Sequence, residues 1–563
     1  MKTTPPDKRH HNAEIQRASL NDPLYYLANL ETVIHWVRSH HSDLLETAER
    51  SILDQFIALP KHSRALLARL SMRSGTLFRG DTLRYREIPS IDDALRPLVD
   101  AGWVALNPSI TANDVHKLCR RAELLQLLTS RGVDCPRTLR KSEMLAPLQT
   151  LVADHSGRTM QQWWPEGTIN TISLLRDALL QRIRLMFFGN LYQDWSEFVL
   201  AELGYQRYEA VSFTPQSRAF SDRNDVDDYL DIYHCQTALA EGVSVNELQV
   251  PGPSTNSWLE HRRQKLLFQL AHHAERCGDI DTALQLYRDN PLEEALVRQF
   301  RVLEKSTPLP EQLLPRLDAS LHNVQRPETR LHLQRIQHRL RRKAGQPSAA
   351  RRLQPIPSQT LLLRQSEHSV EVATLAALTE NKSLTGFYSE NTLFTGLFGL
   401  LFWPVLFEPL PGAFFHPFQA GPADLFRADF VTRRQTLIDQ RLRLLETKAY
   451  QQEIWKIWRA KHGISCTLIH WPAMSEALVQ AALRCIPAEH LRIVFRHLLS
   501  DLRHHRRGMP DLVLFDTAQC RYQLIEVKGP GDRLQDHQRL WIETMLQAGL
   551  PVSVAEVDWE SKS

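Results

Sequence analysis

The sequence is first informative through what it lacks. Its seven cysteines form no CxxC pair and no Cys/His spacing typical of zinc. The longest apolar run, residues 393–407, has 15 residues, fewer than the roughly 20 that a membrane-spanning helix needs. Residues 1–17 are polar and contain no apolar signal core. These absences argue against a disulfide-stabilised secreted protein, a zinc module and a membrane protein. We expect a reduced, intracellular, soluble protein with no membrane partner.

Two further absences limit the function. No GxxxxGK[ST] phosphate loop occurs, so an ATP-driven machine is not expected. The formal net charge is only +4, which by itself does not indicate a nucleic-acid partner, although arginines and histidines cluster locally. What is present is a composition of 43% hydrophobic and 23% charged residues, sufficient for buried cores. The 563 residues suggest roughly three to five domains at ~100–200 residues each.

The most informative pattern lies near the end of the chain, where a polar turn separates two predicted strands. The first strand begins at Pro510-Asp511, and the second runs from Tyr522 to Lys528. Side chains in a strand alternate between its faces, so Glu526 and Lys528 share a face. Asp511 can lie beside Glu526 on the neighbouring strand. Two carboxylates supply the oxygen ligands that Mg²⁺ prefers, and such a metal site can hydrolyse a phosphodiester.

Pro510-Asp511 followed by Glu526-Val527-Lys528 resembles the PD-(D/E)xK nuclease signature. The flanking segments 508–512 and 526–534 are similar to those of the VRR-NUC domain, the virus-type replication-repair nuclease. Residues 390–403, 418–426 and 501–508 resemble segments of the Fanconi-associated nuclease family. On these motifs, and on the order of the modules before them, the chain is identified as a bacterial-type member of that family.

The resemblance implies a set of metal and catalytic residues. Glu390, Asp511 and Glu526 are expected to bind metal together with the Val527 carbonyl. Lys528 is expected to orient or activate the attacking water and to offset developing negative charge. The expected cofactor is Mg²⁺ or Mn²⁺, with two ions bound.

The resemblance also implies residues around that centre. Gln538 is expected to stand behind the metal ligands. Position 537 carries histidine where a basic residue is expected in relatives that capture a 5′ phosphate, so the residues that anchor a 5′ phosphate are left open, with the nearby arginines as candidates. Basic residues expected to contact DNA are Arg503, Arg506, Arg507, Arg140 and Lys141.

The function implied by the resemblance is that of a structure-specific DNA nuclease in interstrand crosslink repair. It would combine 5′-flap endonuclease and 5′-to-3′ exonuclease activity, of the phosphodiesterase I type. Its partner would be branched double-stranded DNA with a 5′ flap, nick or gap, and a homo-oligomer on DNA is left open. We expect it in the cytoplasm with the nucleoid if the source is bacterial, or in the nucleus if eukaryotic. Two alternatives stay open: a Holliday-junction resolvase or restriction-type nuclease, and a non-catalytic TPR-like DNA-binding scaffold.

The predicted fold is multidomain and mostly α. Ala274, Gly278, Ala283 and Tyr287 follow the small-residue spacing of a tetratricopeptide (TPR) repeat. The expected parts are a flexible tail (1–20), a winged-helix-like domain (21–107), a SAP-like DNA-binding domain (108–155), a TPR-like helical domain (156–365) and a C-terminal α/β restriction-endonuclease-like VRR-NUC domain (366–563).

Four local patterns give further predictions. Alternation at 83–88 predicts a strand, and the apolar segment 171–188 predicts one helix. Ser389 is expected to be the N-cap of the buried helix that contains Glu390. The basic segment 327–343 predicts a helix that either cradles a DNA backbone or presents an ordinary solvated face.

Overall fold

The computed structural model describes residues 22–151, 157–202, 206–213, 217–306, 309–347, 355–364, 367–380 and 384–560. The predicted tail 1–20 lies outside these ranges. The chain divides into two compact units, one of residues up to 206 with 212–226 and 415–418, the other of 207–211, 227–414 and 419–563. The predicted mostly helical, multidomain class with an α/β part at the C-terminal end is confirmed. No helix within the described ranges has both the length and the hydropathy for crossing a membrane.

The first unit is helical around a small antiparallel sheet. Strands β1 (Leu77–Arg79), β2 (Val104–Leu106) and β3 (Thr171–Leu174) pair in the order β1-β3-β2. Its α-helices are Tyr25–His40, Thr47–Ala58, Lys61–Ser71, Ile91–Asp100, Ala112–Leu118, Arg121–Ser130, Leu145–Thr150, Met160–Trp163, Asp177–Phe188 and Ser196–Glu202. Short 3₁₀ turns lie at Ser42–Leu44, Gly80–Thr82 and Lys141–Met144.

Two of the local predictions are wrong in this unit. The segment 171–188 is not one helix, because its first four residues form β3, the central strand, before helix Asp177–Phe188. A continuous apolar run does not distinguish a buried strand from a buried helix. Residues 83–88 form no strand, since β3 pairs instead with Leu77–Arg79 and Val104–Leu106. Helix Ile91–Asp100 follows Ser90, whose side chain caps it by accepting from the Asp93 N–H.

The second unit begins with paired helices. Ala274, Ala283 and Tyr287 of the predicted repeat are buried in one core, and Gly278 ends its helix with φ +85°, a conformation that glycine adopts without strain. Helix Arg223–Ala240 leads from the first unit into the second. The next helices are Ser257–Cys277, Ile280–Arg288, Glu293–Ser306, Pro310–Asn323 and Pro327–Lys343, with a 3₁₀ turn at Val245–Glu247.

A five-stranded mixed sheet follows in the same unit. Its strands are β4 (Ser358–Leu363), β5 (Thr385–Tyr388), β6 (Leu512–Asp516), β7 (Arg521–Lys528) and β8 (Val552–Trp559), in the order β4-β8-β7-β6-β5. Strands β7 and β8 are parallel. On its other side β8 pairs with β4. Strand β4 lies before residue 366, where the VRR-NUC domain was predicted to begin. The surrounding helices are Val370–Thr379, Leu393–Leu401, Trp403–Leu406, Phe430–Arg433, Gln435–Arg443, Ala449–Lys461, Glu476–Cys485, Ala488–Ser500, Leu502–His505 and Asp536–Gln547, with a 3₁₀ turn at Leu444–Glu446.

Strands β6 and β7 form an antiparallel hairpin, and β6 is buried on both faces. Leu514, Ile525 and Val527 are buried in one core, together with residues of β8. The Asp516 carboxylate closes the turn by accepting from the Ala518 and Gln519 N–H groups. This side-chain-to-backbone arrangement is typical of aspartate in turns.

The segment before the apolar helix differs from the prediction. Ser389 is not the N-cap, because the helix begins at Leu393 after Thr392. The Ser389 N–H instead donates to the Asp511 carbonyl at 2.7 Å, which ties this segment to the residue before β6. Glu390 consequently lies on a turn between β5 and the helix.

Candidate active site

The end of the β6–β7 hairpin brings together three of the predicted residues. Leu512 lies opposite Ile525, so the register places Asp511 opposite Glu526. The Asp511 Oδ2 accepts from the Val527 N–H at 2.8 Å. The Lys528 Nζ lies 2.7 Å from the Glu526 Oε1. Two carboxylates and an amine therefore meet at one edge of the sheet.

Burial makes both carboxylates hard to ionise. It raises the pKa of Asp511 to about 6, and the nearby Glu390 charge adds to the effect while the Val527 N–H opposes it. Burial also raises the pKa of Glu526 to about 7, with the Asp511 charge as the next cause and Lys528 acting in the opposite direction. A pair of acids with raised pKa values in a shared site is typical of functional centres.

Glu390 comes to the same place from the turn after β5. The Tyr388 hydroxyl donates to its Oε2 at 2.5 Å, and the Asn391 Nδ2 donates to its Oε1 at 3.0 Å. Its charge acts on both Asp511 and Glu526. The structure thus brings Glu390, Asp511, Glu526 and Lys528 together, as predicted.

One acidic residue near the site was missed from the sequence. Glu371 lies in the first turn of helix Val370–Thr379, and its charge contributes to the raised pKa of Asp511. Val370 packs close to Gly529, the residue after Lys528, which explains the proximity. Only its position in the first turn of an apolar helix could have indicated Glu371 in the sequence, and that position is equally typical of a favourable helix dipole contact.

The buried carboxylate of Glu526 tests whether a metal fits here. Both of its oxygens are buried, and the Lys528 Nζ pairs with Oε1 at 2.7 Å while Oε2 accepts no hydrogen bond. A buried carboxylate with an unsatisfied oxygen is costly, and a divalent cation with oxygen ligands would remove that cost. Within the described ranges, no group of three His, Cys, Asp or Glu side chains is arranged to hold a metal ion. The buried oxygens of Asp511 and Glu526 are nevertheless the kind of donor that a divalent cation prefers.

The predicted arginines lie on and after the short helix Leu502–His505. The Arg503 Nη2 donates to the Phe426 carbonyl at 3.3 Å. The Arg506 guanidinium lies 4.5 Å from the Phe426 ring centroid, and its buried Nε has no hydrogen-bond partner. Burial lowers the pKa of Arg506, and the charges of Arg507 and Arg503 lower it further. Three cations that repel one another provide a place for an anion.

Two more cationic positions next to Arg503 were missed. His261 and Lys265 lie one turn apart on helix Ser257–Cys277. Burial lowers the pKa of Lys265, with Arg503 as the next cause. Burial also lowers the pKa of His261 to about 4, followed by the charges of Lys265 and Arg503. In the sequence both residues belong to the TPR-like pattern, and nothing there indicates that their helix meets the arginine segment.

The other predicted residues have local roles in the structure. The Gln538 Oε1 accepts from the Gln535 N–H at 3.0 Å and so caps helix Asp536–Gln547. His537 packs on Gly508, whose φ is +87°, and a Cβ at 508 would lie 2.6 Å from the His537 Cδ2. In the first unit, Arg140 is exposed, and the Lys141 carbonyl accepts from the His116 Nε2 at 2.7 Å.

Comparison with known proteins agrees with this geometry. The model of the VRR-NUC domain matches residues 445–559, and that of the FAN1 HTH domain matches residues 24–105. A Fanconi-associated nuclease 1 homolog of Pseudomonas aeruginosa is 41% identical over 551 residues, which cover 97% of this chain and 98% of the relative. The chain belongs to the Fanconi-associated nuclease 1 family. As a member it is a structure-specific DNA nuclease, and its VRR-NUC domain implies dependence on a divalent metal.

More distant members and solved structures extend the comparison. The rice homolog is 25% identical, with 95% of this chain matching 63% of that protein. Human Fanconi-associated nuclease 1 is 32% identical over 194 residues, which are 34% of this chain and 19% of that protein. A crystal structure of paFAN1 bound to DNA with a 2-nucleotide 5′ flap and a gap has a TM-score of 0.91 and 40% identity, covering 97% of this chain and all of that one.

Proposed function

We propose that this nuclease cuts branched DNA as a 5′-flap endonuclease and 5′-to-3′ exonuclease of the phosphodiesterase I type, in interstrand crosslink repair. The observation that carries the proposal is the meeting of the buried carboxylates of Asp511 and Glu526 with the Lys528 amine at one end of the sheet. The crystal structures of family members named as bound to 5′-flap DNA support the substrate class.

The metal ligands in this proposal are Glu390, Asp511, Glu526 and the Val527 carbonyl. They would hold Mg²⁺ or Mn²⁺, as two ions. When bound, the divalent cations supply Lewis-acid polarisation of the scissile phosphodiester. The raised pKa values of Asp511 and Glu526 mean that both carboxylates gain their charge most readily when a cation is present.

Lys528 has a separate role. Its Nζ is within reach of Glu526, and its side chain is 14% exposed, so it is directed into the site rather than into bulk water. An ammonium at this place orients the attacking water through its N–H donors and offsets the negative charge that develops on the phosphate oxygens. Gln538 is proposed to support the ligands from the first turn of helix Asp536–Gln547.

DNA contact in this proposal is made chiefly to phosphates. Arg503, Arg506 and Arg507, with Lys265 beside them, form the cationic cluster described above. Phosphate contacts position a duplex without reading its sequence, which suits an enzyme that recognises branched shape. Arg140 and Lys141 are proposed to contact the DNA backbone from the SAP-like part of the first unit.

A cleavage assay tests the proposal. Labelled 5′-flap, 3′-flap and four-way DNA are incubated with the full chain, with and without Mn²⁺, beside the isosteric variant Asp511→Asn. We expect metal-dependent cleavage with a preference for the 5′ flap, and its loss in the variant. Symmetric cuts in the four-way junction would support a resolvase instead, and full activity of Asp511→Asn would show that the proposed site is wrong.

A further inference from the structure

The carboxylate of Glu390 is held by two residues that the proposed function does not use. The Tyr388 hydroxyl donates to Oε2 at 2.5 Å, and the Asn391 Nδ2 donates to Oε1 at 3.0 Å. Each carboxylate oxygen has two lone pairs, so a single donor leaves a lone pair on each for a cation. Glu390 lies on a turn, where no helix packing fixes its rotamer, and these two bonds supply the restraint.

Tyr388 is itself fixed relative to Asp511. It ends β5, and the register places it opposite Leu512, the residue after Asp511. The following N–H, that of Ser389, donates to the Asp511 carbonyl at 2.7 Å. A hydroxyl on this strand therefore restrains Glu390 with respect to the strand that carries Asp511.

Asn391 makes a second connection to the same place. Its φ of +53° is left-handed, a conformation that asparagine tolerates better than most residues. Its Oδ1 accepts from the Met509 N–H at 3.1 Å, and Met509 precedes Asp511 by two residues. The side chain of Asn391 thus joins Glu390 to the approach of β6.

We propose that Tyr388 and Asn391 are positioning residues that hold the Glu390 carboxylate toward Asp511, so that both can bind one divalent cation. The inference rests on the proposed role of Glu390 as a metal ligand. Before metal binds, the negative charges of Glu390 and Asp511 repel each other, and two neutral donors on Glu390 counteract that repulsion. Outer partners that orient metal ligands in this way typically change metal affinity by about 10–100-fold when they are removed.

A competing role for Tyr388 is stacking on a DNA base, since the residue is 48% exposed and aromatic rings bind unpaired bases. The two roles use different atoms. The clamp needs the hydroxyl, whereas stacking needs the ring. Tyr388→Phe removes only the hydroxyl, and Tyr388→Ala removes both.

The test measures metal binding without catalysis. Binding of Mn²⁺ to the full chain, in the absence of DNA, is followed by the electron paramagnetic resonance signal of free Mn²⁺. Asn391→Gly removes the amide and keeps the left-handed backbone accessible. Tyr192→Phe is the matched control, because it removes the hydroxyl of an exposed tyrosine in the first unit. Glu390→Gln tests the ligand itself.

We expect Tyr388→Phe and Asn391→Gly each to weaken Mn²⁺ binding about tenfold, Tyr388→Ala to weaken it no further, and Tyr192→Phe to leave it unchanged. Unchanged binding in both Tyr388→Phe and Asn391→Gly, with weakened binding in Glu390→Gln, would overturn the clamp and leave the proposed function intact. Unchanged binding in Glu390→Gln would instead remove Glu390 from the ligand set. A loss of DNA affinity in Ca²⁺ for Tyr388→Ala, with normal Mn²⁺ binding in Tyr388→Phe, would replace the clamp by stacking.

Discussion

Two segments are rich in charge: the hairpin that carries Asp511 and Glu526, and the basic helix Pro327–Lys343. Their charged side chains differ in how they are paired. In the helix, Arg335 makes a bidentate pair with Asp536. Further along it, Arg339 donates to both oxygens of Glu304 at 2.8 and 2.7 Å, and the Arg341 Nη2 lies 3.6 Å from the Asp318 Oδ2. In the hairpin, by contrast, both oxygens of Glu526 are buried, and the ion pair with Lys528 at Oε1 leaves Oε2 without a hydrogen bond.

This difference distinguishes charges that pair within the fold from charges that are available to bind a ligand. Arg335 joins its helix to Asp536 on the first turn of helix Asp536–Gln547, so its charge is already used within the fold. The structure therefore favours a structural role for these paired arginines over the DNA cradle that the sequence left open. A buried carboxylate whose oxygens are not all satisfied costs free energy, and a bound cation would offset that cost.

The largest expected effect comes from removing the buried charge of Glu526. Glu526→Gln keeps the side-chain shape but cannot supply a charged ligand, so we expect cleavage to fall at least about 10³-fold. Because the buried acid also ionises with difficulty, the metal-free variant should melt at the same temperature as the parent or higher. Initial rates and thermal melts measure both. Glu489→Gln, at an exposed carboxylate paired with Arg492, is the control. Cleavage by Glu526→Gln at the parental rate would show that the buried carboxylate of Glu526 has no part in the function.

The second effect is a dependence of metal affinity on pH. Asp511 and Glu526 have folded-state pKa values raised to about 6 and about 7, so in the metal-free protein they hold protons that the unfolded chain releases above about pH 4–5. Their contribution to the free energy of unfolding is therefore largest at low pH and is lost as pH rises to about 7. A cation must displace these protons, so its affinity rises over the same window.

We expect the Ca²⁺-induced increase in melting temperature to grow between about pH 5.5 and about pH 7.5 and then to level off. Ca²⁺ is chosen so that binding is measured rather than turnover. The growth should be weaker in Glu526→Gln and in Asp511→Asn. A shift that is equal at all these pH values would show that neither carboxyl holds a proton in the metal-free site.

A smaller effect is expected from the cationic cluster. Arg503→Gln removes one charge beside Lys265 and His261, so affinity for 5′-flap DNA in Ca²⁺ should fall about 3–10-fold, with the salt dependence reduced by about one counterion. Fluorescence anisotropy at several salt concentrations measures both quantities. Arg484→Gln, which removes an exposed arginine at the end of helix Glu476–Cys485, is the control. An equal loss of DNA affinity in both variants would show that the cluster acts only through the overall charge of the protein.

The smallest effect is expected in the basic helix. Arg335→Ala breaks a half-exposed ion pair, and such pairs contribute about 0–1 kcal/mol. We expect a slightly lower melting temperature and DNA affinity within about twofold of the parent. Asp536→Asn should have a similar effect, and the double variant should show whether the pair is the cause. A tenfold loss of DNA affinity in Arg335→Ala would show that the helix contacts DNA after all.

The parts of the site that the sequence predicts are local ones. Asp511, Glu526 and Lys528 lie on one hairpin, where period-two alternation and a short turn determine which side chains meet. The part that it misplaces, the start of the helix at Leu393, depends on the bond between Ser389 and Asp511, which joins distant segments.

Other residues of the site were not predicted at all, for the same reason. Tyr388, Asn391 and Glu371 gain their significance from neighbours far along the chain. The same holds for β3, an apolar segment that becomes a strand because two distant strands flank it. Propensity and periodicity report local preference, and tertiary pairing overrides them at such positions.

The tie between Ser389 and Asp511 has a consequence for the order in which activity appears as the chain folds. The β6–β7 hairpin closes a short loop, whereas Glu390 must arrive from a distant part of the chain, and contacts of large sequence separation form late. In a chain that has formed only the hairpin, Asp511, Glu526 and Lys528 are together but Glu390 is not yet beside them. In refolding, secondary structure should therefore recover before metal-dependent cleavage does. Nuclease activity then appears only after the segment that carries Glu390 has docked on the hairpin.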